Sequence, residues 1–307
     1  MAKNEEKQID NLKDIVETKH KNDHSIFRLI GKEIWRDKIA LISLIIFLGL
    51  VMFTFVAEAL MDNDVATKVH ITRLDRRPSE DHILGTDNGG RDMIDMMIIG
   101  AKNTFKVAFG VTGISMVIGL FVGIMAGFWG GHTDNALMRV TEFFMMVPTL
   151  MIIIVIVSIL SRYSVLQFIL IMSSLMWMGR ARLIRTVTLQ QRNLDYVHAS
   201  KTLGTPNLMI MMREVFPNLT SVIMTNLTLS LAGAMGVETG LSFLGFGLPF
   251  NTPSLGRLIT VAREPAALQN RWWQWLPPAV LIFIIMLCIN YVGDAVSRAV
   301  DPKQRRA

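Results

Sequence analysis

Six runs of residues without a charged side chain constrain how this chain can fold. An α-helix needs about 20 residues to cross the hydrocarbon core of a bilayer, and each run has roughly 17 to 23. Strands of a membrane-spanning barrel would instead alternate apolar and polar residues over about ten positions. The sequence therefore predicts an all-α membrane protein with six transmembrane helices. The runs are Ile39–Ala57, Val107–Trp129, Phe143–Leu160, Tyr163–Gly179, Phe216–Val237 and Leu276–Gly293.

The positive charges predict which helix ends face the cytoplasm. Placing both termini inside gives inner segments with 20 Lys and Arg residues and outer segments with 11. Cytoplasmic loops of membrane proteins carry the excess of Lys and Arg, so an N-in, C-in topology is predicted. The inner segments also hold the whole net charge of +6, and no nucleic-acid partner is needed to explain it.

The runs also divide the chain into predicted segments. No cleavage-site pattern precedes the first run, which is therefore predicted to remain as a transmembrane helix. Just before it, apolar residues recur at helical spacing, as in an amphipathic helix on the membrane surface or a simple extension of the first span. The segments are a cytoplasmic tail (1–38), the first span (39–57), an extracytoplasmic segment (58–106), a five-helix core (107–293) with a cytoplasmic loop (180–215) and an outer loop (238–275), and a cytoplasmic tail (294–307).

The extracytoplasmic segment contains turn chemistry followed by a helical pattern. The residues TDNGG at 86–90 favour a turn. Ile94, Met97, Ile98 and Ala101 then recur at helical spacing. The pattern predicts a short helix that lies flat on the outer leaflet before the second span.

A stripe of small residues runs along the second span. Ser115, Gly119, Gly123 and Gly127 are each four positions apart, so they share one helix face. Small residues at this spacing allow another helix to approach backbone to backbone. The stripe predicts a packing face at the heart of the bundle.

The six runs lack the groups that power a transporter. They contain no Asp, Glu, Lys, Arg or His, which proton relays, ion-coupled carriers and voltage sensors place within the membrane. The chain also has no Walker A sequence, HExxH motif or cysteine pair, so neither an enzyme nor a metal site is predicted. In the fifth run, four polar residues are predicted to bond between helices or to line a polar path: Thr225, Asn226, Thr228 and Ser230.

The segment Asp195–Asn218 predicts two short helices that meet at a sharp corner. Gly204 can adopt positive φ and end a helix, and Thr205 and Pro206 suit an N-cap and a first helical position. Pro217 is predicted to break the second helix before the fifth span. A helical corner on the inner face is suited to enter a groove of a partner, so a separate source of energy is predicted to attach there.

This corner resembles the EAA loop of ABC importer permeases, which docks on a cytoplasmic ATPase. Ala199, Gly204 and Pro217 have the spacing of that loop, and the residues DYV at 195–197 fit the peptide-importer branch better than the general consensus. The resemblance implies an ATPase contact formed by Asp195, Tyr196, His198, Ala199, Ser200, Leu203, Gly204, Thr205 and Pro206.

Four residues of the loop depart from the family pattern. His198 replaces the usual Glu, and Ser200 replaces the second Ala. Glu214 and Phe216 replace the usual Ile and Leu before the proline. The resemblance therefore implies the docking geometry, without the salt bridge that the usual Glu would form.

Three further stretches resemble the same branch. LGTDNGGRD before the second span is similar to its LGTDxxGRD signature, and ETGLSFLGFGLP at Glu238–Pro249 is similar to its LSFLGLG motif. PSLG at Pro253–Gly256 is similar to PSWG, with Leu255 in place of Trp. Over residues from about 25 to 300, the chain resembles the C-type permease of oligopeptide, dipeptide and nickel ABC importers.

The resemblance implies a complete transport system around this chain. It implies a type I ABC importer permease fold in the bacterial cytoplasmic membrane and a heterodimer with a paralogous permease. It also implies two cytoplasmic ATPase subunits, which would bind ATP and Mg, and an extracytoplasmic peptide-binding protein; this chain would bind no cofactor. Dipeptides, nickel chelates or glutathione-like peptides are alternative cargoes, and a stand-alone channel or scaffold is an alternative class.

Overall fold

The computed structural model describes residues 26–300, and its long elements are all α-helices. The predicted tails lie partly outside these residues. Within them, the only β contact is an isolated bridge between Thr86 and Asp92. Short helical segments occur at Asn63–Ala66, Ile71–Arg73, Leu255–Leu258, Ile259–Arg263 and Pro265–Asn270. The longer helices are α1 (Ile26–Arg36), α2 (Lys38–Leu60), α3 (Met93–Trp129), α4 (Gly131–Met145), α5 (Thr149–Ile159), α6 (Val165–Met176), α7 (Met178–Arg192), α8 (Asp195–Thr202), α9 (Asn207–Leu244) and α10 (Trp272–Val300).

Four helices are long and apolar enough to cross a membrane. They are α2, α3, α9 and α10, with 23, 37, 38 and 29 residues. The pair α4 and α5 together passes the same test, but the two helices are bent by 74° at the break between them. The predicted all-α membrane fold is confirmed, with four helices of spanning length in the described chain, or five crossings if the bent pair counts as one.

Two of the six charge-free runs do not form single helices of spanning length. In the third run, α4 ends at Met145 and α5 begins after Pro148. Proline lacks a backbone N–H and restricts the residue before it, so the incoming helix stops there. The fourth run holds α6, whose 12 residues extend about 18 Å, well short of a hydrocarbon core about 30 Å thick.

The second span begins earlier than its apolar run. α3 is one continuous helix from Met93 to Trp129, so the separate flat helix predicted over Ile94–Ala101 is wrong. Asp92 caps α3 by accepting a hydrogen bond from the Ile94 N–H at 2.8 Å. No proline interrupts the 37 residues that follow, and the predicted outer helix therefore forms the first turns of α3.

α9 continues through Pro217, where the sequence predicts a break. The turn Met211–Val215 is π-helical, and the Phe216 N–H donates to the Met211 carbonyl oxygen. A π turn is wider than an α turn, so it accommodates the missing N–H and the ring of the proline two residues later. The prediction of a break is wrong, and the second helix of the corner is continuous with a membrane helix.

α1 is a separate helix at the predicted cytoplasmic end of the bundle. Asp37 has extended backbone between α1 and α2, and its carboxylate caps α2 by accepting from Ile39 and Ala40. Ile34 packs against Ala40 and Ala295, which ties α1 to α2 and α10. α1 is therefore not a simple extension of the first span.

α3 lies at the centre of the bundle. It contacts α2, α6, α7, α9 and α10. Its buried residues Phe105, Val111 and Met116 belong to three different apolar clusters along its length. A displacement of any surrounding helix therefore reaches α3 by direct contact.

Candidate functional site

The corner between α8 and α9 is formed by a complete Schellman motif. The Gly204 N–H donates to the Lys201 carbonyl oxygen at 3.0 Å, and the Thr205 N–H donates to the Ser200 carbonyl oxygen at 3.1 Å. Gly204 has φ +78°, the left-handed conformation that glycine adopts without steric cost. Pro206 is the N-cap of α9 rather than its first helical residue, so that boundary lies one position later than predicted.

The predicted contact residues of the corner divide into an exposed and a half-buried set. Leu203 at the tip is 85% exposed, and Leu208 and Met212 on α9 are also exposed apolar residues. The exposed residues of the predicted set are Asp195, His198, Ala199, Leu203, Gly204 and Pro206, and the half-buried ones are Tyr196, Ser200 and Thr205.

The half-buried residues of α8 bond it to the start of α9 and to the end of α7. The Ser200 hydroxyl donates to Glu214 Oε1 at 2.5 Å. Asn218 Nδ2 donates to the Glu214 carbonyl oxygen at 2.6 Å and, at 3.4 Å, to the Tyr196 hydroxyl. The Tyr196 hydroxyl donates to Gln191 Oε1 at 2.8 Å, and burial and the Glu214 carboxylate raise the pKa of Tyr196. These bonds brace the corner from inside.

Two departures from the family pattern therefore contact each other. Ser200 stands where Ala is usual, and Glu214 stands where Ile is usual, and each supplies one partner of the same hydrogen bond. The other carboxylate oxygen, Glu214 Oε2, is buried with no hydrogen-bond partner in the described part of the chain. The Glu214 carboxylate thus depends on the Ser200 hydroxyl as a hydrogen-bond donor.

Ser200→Ala is expected to destabilise the corner by about 1.5–3 kcal/mol, because it leaves the half-buried Glu214 carboxylate without its donor. Ser200→Ala combined with Glu214→Ile restores the family pair and should recover most of that loss, since both partners become apolar. The checks are thermal stability of the purified chain and its association with the ATPase subunits. Thr202→Val is the matched control, because that hydroxyl bonds only its own helix at the His198 carbonyl oxygen. Additive losses in the double variant would contradict the brace.

The glycine stripe of α3 lies against α7. A Cβ atom added to Gly119 would lie 2.8 Å from Arg180 Cβ, and one added to Gly123 would lie 2.6 Å from the Ala181 carbonyl oxygen. At Gly127 it would lie 2.6 Å from Thr188 Cβ. Ser115, the first residue of the stripe, is buried and bonds the Val111 carbonyl oxygen of its own helix. The two backbones approach so closely that only glycine fits at these three positions.

This packing connects the corner to the centre of the bundle. α7 leads into α8 through the short link 193–194. Arg185 of α7 forms an ion pair with Asp134 of α4 at 2.5 Å. Lys201 of α8 lies 4.9 Å from the centroid of the Phe128 ring of α3. α8 therefore contacts α3 directly through this cation–π contact and indirectly through α7.

A buried arginine lies among the predicted path residues. Arg180 is 7% exposed, and its Nε donates to the Ser230 hydroxyl at 3.1 Å. The Ser230 hydroxyl in turn donates to Asn226 Oδ1 at 3.1 Å. Thr228 bonds its own helix at the Met224 carbonyl oxygen, and Thr225 is half-buried. Ser230 therefore bonds the Arg180 guanidinium directly, and Asn226 is joined to it through Ser230. The sequence predicted Arg180 to lie in the cytoplasmic loop.

The fold is that of a helical membrane protein with an exposed apolar corner between α8 and α9. Residues 119–306 match a family described as the binding-protein-dependent transport system inner membrane component. The chain belongs to this family, and it is a multi-pass protein of the cytoplasmic membrane. The subunits of this family are not catalytic themselves.

The chain is similar to curated permeases over almost its whole length. The chain is 43% identical over 291 residues to the oligopeptide transport system permease protein OppC of Lactococcus lactis (strain IL1403), covering 94% of this chain and 99% of that protein. It is 32% identical to AmiD, an oligopeptide transport permease of Streptococcus pneumoniae, covering 92% of each chain. It is also 32% identical to the dipeptide permease DppC of Bacillus subtilis, covering 90% and 86%.

A solved structure shares the fold. A chain of the MetNI methionine ABC transporter, in an inward-facing conformation, aligns with a TM-score of 0.53 over 68% of this chain and 98% of that one. At 18% identity, this likeness concerns the fold alone.

Proposed function

We propose that this chain is the transmembrane permease subunit of an ATP-binding-cassette importer that moves oligopeptides into the cytoplasm. The observation that carries the proposal is the 43% identity to an oligopeptide permease over 94% of the chain. The corner between α8 and α9 is exposed and apolar, and the hydrogen bond between Ser200 and Glu214 joins its two helices. It supplies the element through which such a subunit would receive force. The chain itself hydrolyses nothing.

The topology that fits this function has six crossings, with both termini in the cytoplasm, in a type I ABC importer permease fold. The bent pair α4–α5 counts as one crossing. α6 and α7 supply another, because Trp177 between them keeps helical backbone angles. The excess of Lys and Arg in the inner segments supports this orientation and places the corner on the cytoplasmic side.

The partners of the proposed subunit are a paralogous permease, two cytoplasmic ATPase subunits and an extracytoplasmic peptide-binding protein. ATP and Mg bind to the ATPase subunits, and this chain needs no cofactor. When the ATPases close on ATP, they pull on the corner. The pull passes along α9 and through α7 to α3, and it tips the bundle from inward-open to outward-open.

The proposal is tested by reconstituting the chain with these partners in proteoliposomes and measuring uptake of a labelled pentapeptide. Uptake should require ATP, the ATPase subunits and the binding protein together. Uptake that continues without the ATPases would instead identify a stand-alone channel.

A second cargo is favoured by the similarity to a dipeptide permease. Parallel uptake assays with the same vesicles compare three cargoes directly. The cargoes supplied outside the vesicles are a dipeptide, a pentapeptide and a nickel chelate. Faster saturable uptake of the dipeptide or of the chelate at equal concentration would replace the oligopeptide assignment and leave the ATP-driven mechanism in place.

A further inference from the structure

A cavity of about 300 Å³ lies at the predicted outer face, away from the corner and from the hydrogen-bonded group Arg180, Ser230 and Asn226. It is enclosed by the start of α3, the turn before it and the connection between α9 and α10. Its polar lining includes Arg91 and Arg257, and its apolar wall includes Met93, Met96 and Leu258. Pockets that bind small molecules begin at about this volume and combine an apolar wall with a few polar groups.

One of the two arginines is already neutralised. Arg91 donates from Nε to Asp87 Oδ2 at 2.8 Å, and its Nη2 lies 2.6 Å from the same oxygen. Asp87 is 4% exposed and also accepts from the N–H groups of Gly89 and Arg91. Arg91 and Asp87 together form a structural pair of the turn.

The other arginine has no counter-charge among the side chains that the structure describes. Arg257 is half-buried, and its Nη1 donates to the Pro249 carbonyl oxygen at 3.1 Å. Within residues 26–300, no carboxylate lies within ion-pair distance, 4.0 Å, of its guanidinium. Burial and the like charge of Arg91 lower the pKa of Arg257. A half-buried cation without a counter-charge is unfavourable until an anion arrives, so the site is set to attract one.

The surroundings of Arg257 suit an anion attached to an apolar group. Its guanidinium carbon lies 4.2 Å from the centroid of the Phe250 ring, which holds the group in the cavity. Phe250 itself is 87% exposed, which is unusual for an aromatic side chain next to a cavity. The planar guanidinium can bind a carboxylate with two parallel hydrogen bonds.

We propose that Arg257 binds the terminal carboxylate of a peptide as it enters from the outer face, with the last side chain of the peptide against Met93, Met96 and Leu258. The inference rests on the proposed import of oligopeptides and assigns a subsite to it. The cavity has room for one or two residues, so the site recognises the end of a peptide independently of its length.

The test compares penta-alanine with a free carboxylate and penta-alanine carrying a C-terminal amide, in proteoliposomes that contain the complete complex. The affinity of the binding protein for each peptide is measured separately, so a preference at that earlier step can be divided out. The Arg257→Gln variant should raise the KM for the free acid about tenfold or more, the effect of losing a charged hydrogen bond. Its KM for the amide should stay within about twofold.

Arg263→Gln is the matched control, because Arg263 lies on the next short helical segment, Ile259–Arg263, and is exposed outside the cavity. It should retain the preference for the free acid. If Arg257→Gln assembles poorly, Arg257→Lys keeps the charge without the planar fork and should still weaken the preference by about threefold or more.

Three results would overturn the inference. An unchanged preference in Arg257→Gln would show that no carboxylate binds there. An equal loss for acid and amide would indicate that Arg257 contacts an acidic side chain of the binding protein instead. A loss of preference in Arg263→Gln as large as in Arg257→Gln would show a general charge effect. Failure of the proposed import is distinguishable, because the wild-type complex would then take up neither peptide.

Discussion

Leu203→Asp is expected to reduce ATP-dependent peptide uptake more than tenfold and to abolish association with the ATPase subunits. Leu203 is 85% exposed at the tip of the corner, and Leu208 and Met212 of α9 are exposed as well. In the assembled transporter this apolar surface is expected to be buried in a groove of the ATPase. A carboxylate placed there without a partner would lose its hydration, and a cost of about 1.4 kcal/mol already lowers affinity tenfold.

The variant should still reach the membrane, because the exposed Leu203 side chain contributes little to the packing of the bundle. Leu60→Asp is the matched control: Leu60 is 84% exposed at the end of α2, on the predicted outer face. The measurements are ATP-driven uptake and co-purification of the ATPases from detergent. The coupling role of the corner is contradicted if both survive in Leu203→Asp, or if Leu60→Asp loses ATPase association equally.

Gly123→Val is expected to prevent stable packing of α3 against α7. A Cβ atom at this position would lie 2.6 Å from the Ala181 carbonyl oxygen and 2.8 Å from Ile184 Cβ. Overpacking of a core costs about 1–3 kcal/mol, and the upper end is expected because one of the clashing atoms belongs to the backbone of α7. Yield in the membrane and the thermal midpoint in detergent should both fall.

Gly113→Val serves as its control on the same helix. An added Cβ at Gly113 has no neighbour within 4 Å, and the residue is exposed. The same loss of glycine flexibility is therefore introduced without the clash. Equal destabilisation by the two variants would mean that the helix backbone, and not the contact with α7, requires glycine.

The corner and the stripe were predictable because each depends on local chemistry. A left-handed residue at the end of a helix is usually glycine, and Gly204 is followed by Pro206, which caps the next helix. The stripe follows from spacing alone, since residues four apart share a helix face. Neither inference needed to know which helix would lie opposite.

The errors arose where tertiary packing decides the outcome. A charge-free run reflects composition alone. It does not show that the helix entering the third run ends before Pro148 and that a second short helix begins after it. The break predicted at Pro217 was wrong because a π turn absorbs the proline. In both cases the response of the backbone to the proline depends on packing that the sequence does not show.

Arg180 and the brace of the corner could not have been found from the sequence. Arg180 follows Gly179 at the end of a charge-free run, as a cytoplasmic arginine would, and its burial depends on contact with Gly119. Ser200 and Glu214 are fourteen positions apart and meet only because the Schellman turn folds α8 back onto α9. Their departure from the family pattern was a signal that two residues had changed, without showing that they touch.

The contact between the corner and an ATPase is tested most directly by crosslinking from the tip of α8. Cys288 is the single cysteine and is buried, so Cys288→Ser provides a background for Leu203→Cys carrying a photoactivatable crosslinker. In a complex that transports peptide, position 203 should give a covalent product with an ATPase subunit, and Leu60→Cys should give none. If position 203 gives no ATPase product while the complex transports peptide, the corner is not the site of coupling.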